Sequence, residues 1–128
     1  MKALIKYNLE QDNDNALDTS YKGILNIIND DIYKISYTDE NKILNTIEID
    51  RENKEIKVTN INELYFKENK DYKVKYKTAY GEIPLKVVTK KIDINLDKDN
   101  NKLELFLDYN LYQGDSPLIN KLNILVTF

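Results

Sequence analysis

Apolar side chains fall at alternate positions along nearly the whole chain, a period of two that strands satisfy and helices do not. The opening segment places Ala3, Ile5, Tyr7 and Leu9 on one phase and Lys2, Leu4, Lys6 and Asn8 on the other. The rhythm returns at Tyr21–Ile27, Tyr33–Tyr37, Ile43–Ile49, Ile56–Val58 and Leu64–Phe66. It continues through Tyr72–Thr78, Ile83–Val87, Ile92–Leu96, Leu103–Tyr109 and Leu122–Phe128. The polar run Gln11–Thr19 reads as a loop. Asn29-Asp30-Asp31, Thr38–Asn41, Asp50–Lys54, Asp97–Asn101 and Gly114–Pro117 read as turns. The pattern predicts about ten or eleven short strands, and no segment holds a helical period over three turns.

Consecutive strands joined by tight turns pair antiparallel. A sandwich and a closed meander both use one apolar and one charged face per strand. A long meander leaves two edges with free N–H and C=O groups, and closure removes them most completely. The expected fold is all-β: a single antiparallel meander β-barrel of about 8–10 strands, one domain over residues 1–128. The length suffices for one core without staples.

Composition excludes whole classes of chemistry. Histidine and cysteine are both absent, so imidazole and thiol catalysis, disulfides and the common zinc sites fall away. With 19 basic and 22 acidic residues the net charge is −3, which offers no global attraction to nucleic acid or anionic membrane. Arg51 is the lone arginine, so bidentate reading of phosphates or bases is disfavoured. Lys2 and Lys6 interrupt the apolar start, and no stretch approaches the ~20 apolar residues of a membrane helix. The expected location is the cytoplasm, with no nucleic-acid and no membrane partner.

The second half carries a distinctive string. Thr78-Ala79-Tyr80-Gly81 precedes the alternating Glu82–Thr89 segment, which runs on into Ile92–Leu96. After a turn come Leu103–Tyr109 and the closing Asn120–Val126. Thr78, Gly81, Thr89, Leu105, Leu107 and Tyr109 make this region resemble the YwiB-like family, bacterial proteins of unknown function. The resemblance is clearest over Lys67–Phe128 and rests on strand rhythm and length before that. It implies a calycin-like, lipocalin-like β-barrel in a bacterial cytosol, with no established activity. Calycins often hold small apolar ligands, an analogy at the level of fold alone.

Six tyrosines, Tyr7, Tyr33, Tyr37, Tyr72, Tyr76 and Tyr109, share the apolar phase of their strands and are expected to point inward. Buried hydroxyls need partners, so this set is the candidate lining of a ligand site. The plain alternative is that their rings fill the core and their hydroxyls reach the rims.

Other constellations are weaker. Asp97-Lys98-Asp99-Asn100-Asn101 has oxygens at the first, third and fifth places of a calcium loop, but Lys102 stands where glycine is needed and Asp108 where glutamate is needed. Glu104 and Asp108 share an outer phase rather than a cleft. Lys73, Lys75 and Lys77, with Lys86, Lys90 and Lys91, form a basic stripe. Their interleaved tyrosines lie on the opposite face, so edge protection explains them better than base stacking. Gly81 and Pro84 mark a bend, a bulge or a seam.

No catalytic motif is present, so the chain is not expected to be an enzyme, and it needs no cofactor or metal. The leading expectation is a barrel that binds a small hydrophobic or amphipathic ligand inside. The alternative is a filled barrel acting as a protein-interaction or homodimerisation module through its outer surface, where Leu4, Ile24, Ile28 and Leu125 lie.

Overall fold

The computed structural model describes residues 1–128 and contains strands and turns, with no helix. Ten strands follow in chain order: β1 (Lys2–Gln11), β2 (Asp14–Ile27), β3 (Ile32–Thr38), β4 (Leu44–Asp50) and β5 (Glu55–Thr59). Then come β6 (Glu63–Lys67), β7 (Asp71–Thr78), β8 (Gly81–Asp97), β9 (Lys102–Gln113) and β10 (Ser116–Thr127). They form one sheet in the order β6-β5-β4-β3-β2-β1-β10-β9-β8-β7. Every ladder is antiparallel, and all but one join neighbours in sequence. The exception is β1 with β10, which turns the meander into a ring. The all-β barrel read from the alternation is therefore the fold, and it is nearly closed.

The open seam lies between β6 and β7, which share no ladder. Side-chain and backbone contacts bridge the ends of the ring. The Lys77 N–H donates to Asn62 Oδ1 at 2.6 Å, and Asn62 Nδ2 donates back to the Lys77 carbonyl at 3.1 Å. The Asn69 N–H donates to the Thr89 carbonyl at 3.0 Å. The rings of Tyr65 and Tyr72 meet with centroids 5.9 Å apart.

Two details of the strand reading need correction. Gln11–Thr19 is not a loop: β1 runs to Gln11 and β2 starts at Asp14, leaving Asp12-Asn13 as a two-residue turn. Their φ values of +50° and +69° are the double left-handed pattern of a type I′ hairpin, which Asp and Asn tolerate. The alternation fails there because Asp14–Asp18 are exposed on both faces, so no apolar phase was selected. The Asp12 carboxylate also accepts the Ile119 N–H at 3.1 Å, tying the hairpin tip to β10. The segments Ile83–Val87 and Ile92–Leu96 are one strand, β8, with an irregularity between Thr89 and Lys91. That β-bulge accounts for the switch of the apolar phase from odd to even positions.

The inward phase builds a core of 17 buried apolar residues, among them Ile5, Leu25, Ile35, Ile47, Ile56, Phe66, Ile92, Leu105 and Val126. Gly23 faces this core where a Cβ would strike the Ser36 carbonyl and Ile5, so only glycine lets β2 approach β3 there. The wall made by β8, β9, β10 and β2, with strands of 12 to 17 residues, stands taller than β5 and β6, with 5 residues each.

Asn62→Ala removes both side-chain bonds to the Lys77 backbone. We expect it to lower stability by about 1–2 kcal/mol. Urea unfolding should show the loss, and hydrogen exchange should quicken at the Lys77 amide. An unchanged midpoint with unchanged exchange would mean that the seam is held by other contacts.

Candidate functional site

The six candidate tyrosines all lie on the inward phase, but they do not converge. Tyr33 and Tyr109 are core residues, 2% and 6% exposed. Tyr33 sits beneath the Arg51 guanidinium, 5.6 Å from its ring centre, and Tyr109 packs edge-on against Phe66 at 4.8 Å. Tyr7 and Tyr37 join Tyr21 in a three-ring cluster, with Tyr21 and Tyr37 stacked at 4.5 Å and Tyr7 tilted onto Tyr37 at 5.7 Å. Tyr72 contributes to the seam through Tyr65. Tyr76 lies close enough to Tyr109 to raise its pKa.

Burial dominates the chemistry of these hydroxyls. It pushes Tyr7 far above the ordinary phenol range, with Tyr37 beside it adding to the effect. It raises Tyr37 as well. Tyr21 is raised by burial and by donating to the Glu40 carboxylate at 3.0 Å. Tyr109 is pushed up to about 12 by burial first and by Tyr76 second. All these shifts keep the phenols neutral, the opposite of what a catalytic tyrosine base requires.

An inward polar row crosses four adjacent strands in register. Gln11 stands opposite Asn120, Asn120 opposite Tyr109, and Tyr109 opposite Thr89. Gln11 Nε2 donates to Asn120 Oδ1 at 2.9 Å, and Asn120 Nδ2 donates to the Leu118 carbonyl at 2.9 Å. Thr89 Oγ1 is buried and has no hydrogen-bond partner. Only the registers show that Thr89 and Asn120 belong to one row.

The three principal depressions lie along the walls of the barrel. The largest, about 870 Å³, is formed by β10, β1, β2, β3 and β4, and outward-facing Leu4, Ile24 and Leu44 line it beside Lys2 and Lys22. These three apolar residues are 36%, 53% and 60% exposed. A second, about 530 Å³, holds Lys73, Lys75, Lys86, Pro84 and Tyr112. A third, about 270 Å³, includes Lys6, Asn8, Asp18 and Glu104. Of the six candidate tyrosines, one lines the first and another the third, so no principal depression gathers the set. Sequence reasoning missed Leu44, whose outer phase shows only once β4 is known to begin there, and Tyr112, which lies past the assigned end of its strand.

The remaining candidates are local structure. Asp97 accepts the backbone N–H of Asn100 at 3.3 Å and its Nδ2 at 2.7 Å, closing a turn in which Asn101 has a φ of +53°. Glu104 lies on the exposed face of β9, and Asp108, two places on, keeps one carboxylate oxygen buried without a partner. Thr78 Oγ1 donates to the Gly81 carbonyl and accepts the Tyr80 N–H, which builds the β7–β8 turn. Gly81 takes a φ of +113°, a conformation that requires glycine.

The raised Tyr109 pKa sets a pH dependence. The folded state holds its proton more tightly than the unfolded chain does, so the stabilisation is complete below about pH 10. It is lost as the pH rises from there to about 12, where the folded phenol ionises. Two units correspond to about 2–3 kcal/mol. Urea unfolding at pH 9 and pH 11.5 should show a smaller alkaline loss for Tyr109→Phe than for the parent. Equal losses would exclude Tyr109 as the cause.

Comparison with known proteins agrees with this architecture. The crystal structure of the ywiB protein from Bacillus subtilis superposes with a TM-score of 0.77, covering 98% of this chain and 89% of that one. Identity between them is 21%, so the likeness establishes the fold. No curated protein matches. The family model for a domain of unknown function, DUF1934, matches residues 3–124. The YwiB-like resemblance of the Thr78–Tyr109 region accords with both findings, and the chain belongs to the DUF1934 family.

Proposed function

We propose that this protein is a non-enzymatic interaction module that works through the outer face of a filled barrel. The observation that carries the reading is the contrast between inside and outside. Inside, branched aliphatic and aromatic side chains fill the ring. Outside, Leu4, Ile24 and Leu44 converge on one depression, where burial by a partner contributes roughly 1.5–3 kcal/mol per side chain. Other exposed apolar residues are present, but these three share one depression, and a contiguous apolar patch is a feature of interaction surfaces. The simplest occupant is a second copy of the chain, because an isologous dimer requires only this one patch. The bacterial cytoplasm is the setting that the family resemblance implies.

Light scattering on a sizing column tests this directly. The parent should run as a dimer, and Ile24→Lys with Leu44→Lys should weaken the association at least tenfold with an unchanged melting temperature. A parent that stays monomeric at its highest soluble concentration would refute self-association.

A second reading keeps the ligand inside, at the barrel end where Gln11, Asn120, Tyr109 and Thr89 lie. The unpartnered Thr89 hydroxyl favours it, since a buried hydroxyl ordinarily finds a partner. Native mass spectrometry of cell-purified protein should then show a carried small molecule that Thr89→Val loses. A bare mass for the parent would count against this reading.

A further inference from the structure

The outer face of the β7–β8 hairpin gathers Lys73, Lys75 and Lys86 around one depression. Four lysines are paired with carboxylates: Lys54 with Glu68, Lys57 with Glu63, Lys67 with Glu55 and Lys91 with Asp93. Lys73 and Lys75 on β7 and Lys86 on β8 have no such partner, and no carboxylate lines the depression they share. Lys73 stands directly opposite Lys86 in the ladder. Like charges so placed repel. Protection of the β7 edge accounts for Lys73, Lys75 and Lys77. It does not account for Lys86, which lies on an interior strand.

Aromatic groups accompany these cations. Tyr112 on β9 lies opposite Lys86 and on the same outer face, with the ammonium 4.8 Å from its ring centre. Tyr80, at the tip of the same hairpin, is fully exposed. Strict alternation along β7 puts tyrosine and lysine on opposite faces, but β9 brings Tyr112 back to the lysine side. The lysines of β7 repeat every ~6.7 Å along an extended strand. Lysine supplies point charges that suit a phosphate backbone without selecting a base.

We propose that this face binds single-stranded nucleic acid, independently of sequence, with Lys73, Lys75 and Lys86 on the phosphates and Tyr80 and Tyr112 offering apolar surface to the bases. This departs from the expectation of no nucleic-acid partner, which rested on net charge, on Arg51 as the lone arginine and on the alternation along β7. The global charge of −3 opposes binding, so the affinity is modest and strongly salt-dependent.

Fluorescence anisotropy with a labelled oligothymidylate of about 20 nucleotides provides the test. Affinity should fall with salt at a log–log slope near −2, as three phosphate contacts on a single strand require. Lys73→Glu, Lys75→Glu and Lys86→Glu combined should weaken binding at least tenfold, with circular dichroism and melting unchanged. Tyr80→Ala, at a fully exposed site, should weaken it about fivefold, in line with lost stacking. Lys57→Glu on a different wall should leave it unaltered. The proposal fails if the oligonucleotide does not bind at low salt, or if the triple variant binds as well as the parent. It fails equally if polyglutamate or anionic phospholipid vesicles bind more tightly than the oligonucleotide, which would assign the face to an acidic protein or a membrane surface.

Discussion

The ladder between β1 and β10 is the constraint on which the rest of the structure depends. It joins Leu4–Gln11 to Asn120–Thr127, segments more than a hundred residues apart. Every other ladder forms within a hairpin or between sequence neighbours, so each closes a short loop at small entropic cost. This one closes nearly the whole chain. Without it the sheet has two further edges, and the inward phase of Ile5, Ile124 and Val126 has no enclosed space to fill. With it, the only remaining gap is the β6–β7 seam, bridged by Asn62, Asn69 and the Tyr65–Tyr72 contact.

Closure also determines what the tyrosines do. Ten strands enclose a core of 17 buried apolar residues, and Tyr33 and Tyr109 belong to it. The hydroxyls that must be accommodated gather elsewhere. Tyr7, Tyr21 and Tyr37 form their own cluster, and the row from Gln11 to Thr89 carries the interior polar groups. Burial raises the pKa of Tyr7, Tyr37 and Tyr109 and holds these phenols neutral.

The principal depressions lie along the outer walls. One wall carries apolar residues that the core does not use, and another carries cations that no carboxylate neutralises. Each gathers residues of one kind around a single depression. A fold can tolerate such groupings because outward residues contribute little to the barrel's stability. Selection for binding is therefore free to act there without endangering the core.

Alternation alone determined the strands, their antiparallel pairing and the inward set, because a pleated backbone must send successive side chains to opposite faces. It failed over Asp14–Asp18, where neither face is buried and no pattern is imposed. It split β8 in two because a bulge shifts the phase by one residue, and a phase shift looks like a break when the partner strand is unseen. The candidate tyrosines were legible as inward but not as separate, since residues on one phase of different strands meet only according to register and curvature. For the same reason Tyr112 was invisible beside Lys86: the two are 26 positions apart in sequence and adjacent only across a ladder. The chain by itself specified which side chains face in and which face out. Which of them are neighbours, and whether the space they face is filled, was decided by closure, because contacts across strands depend on the ring and not on any one strand.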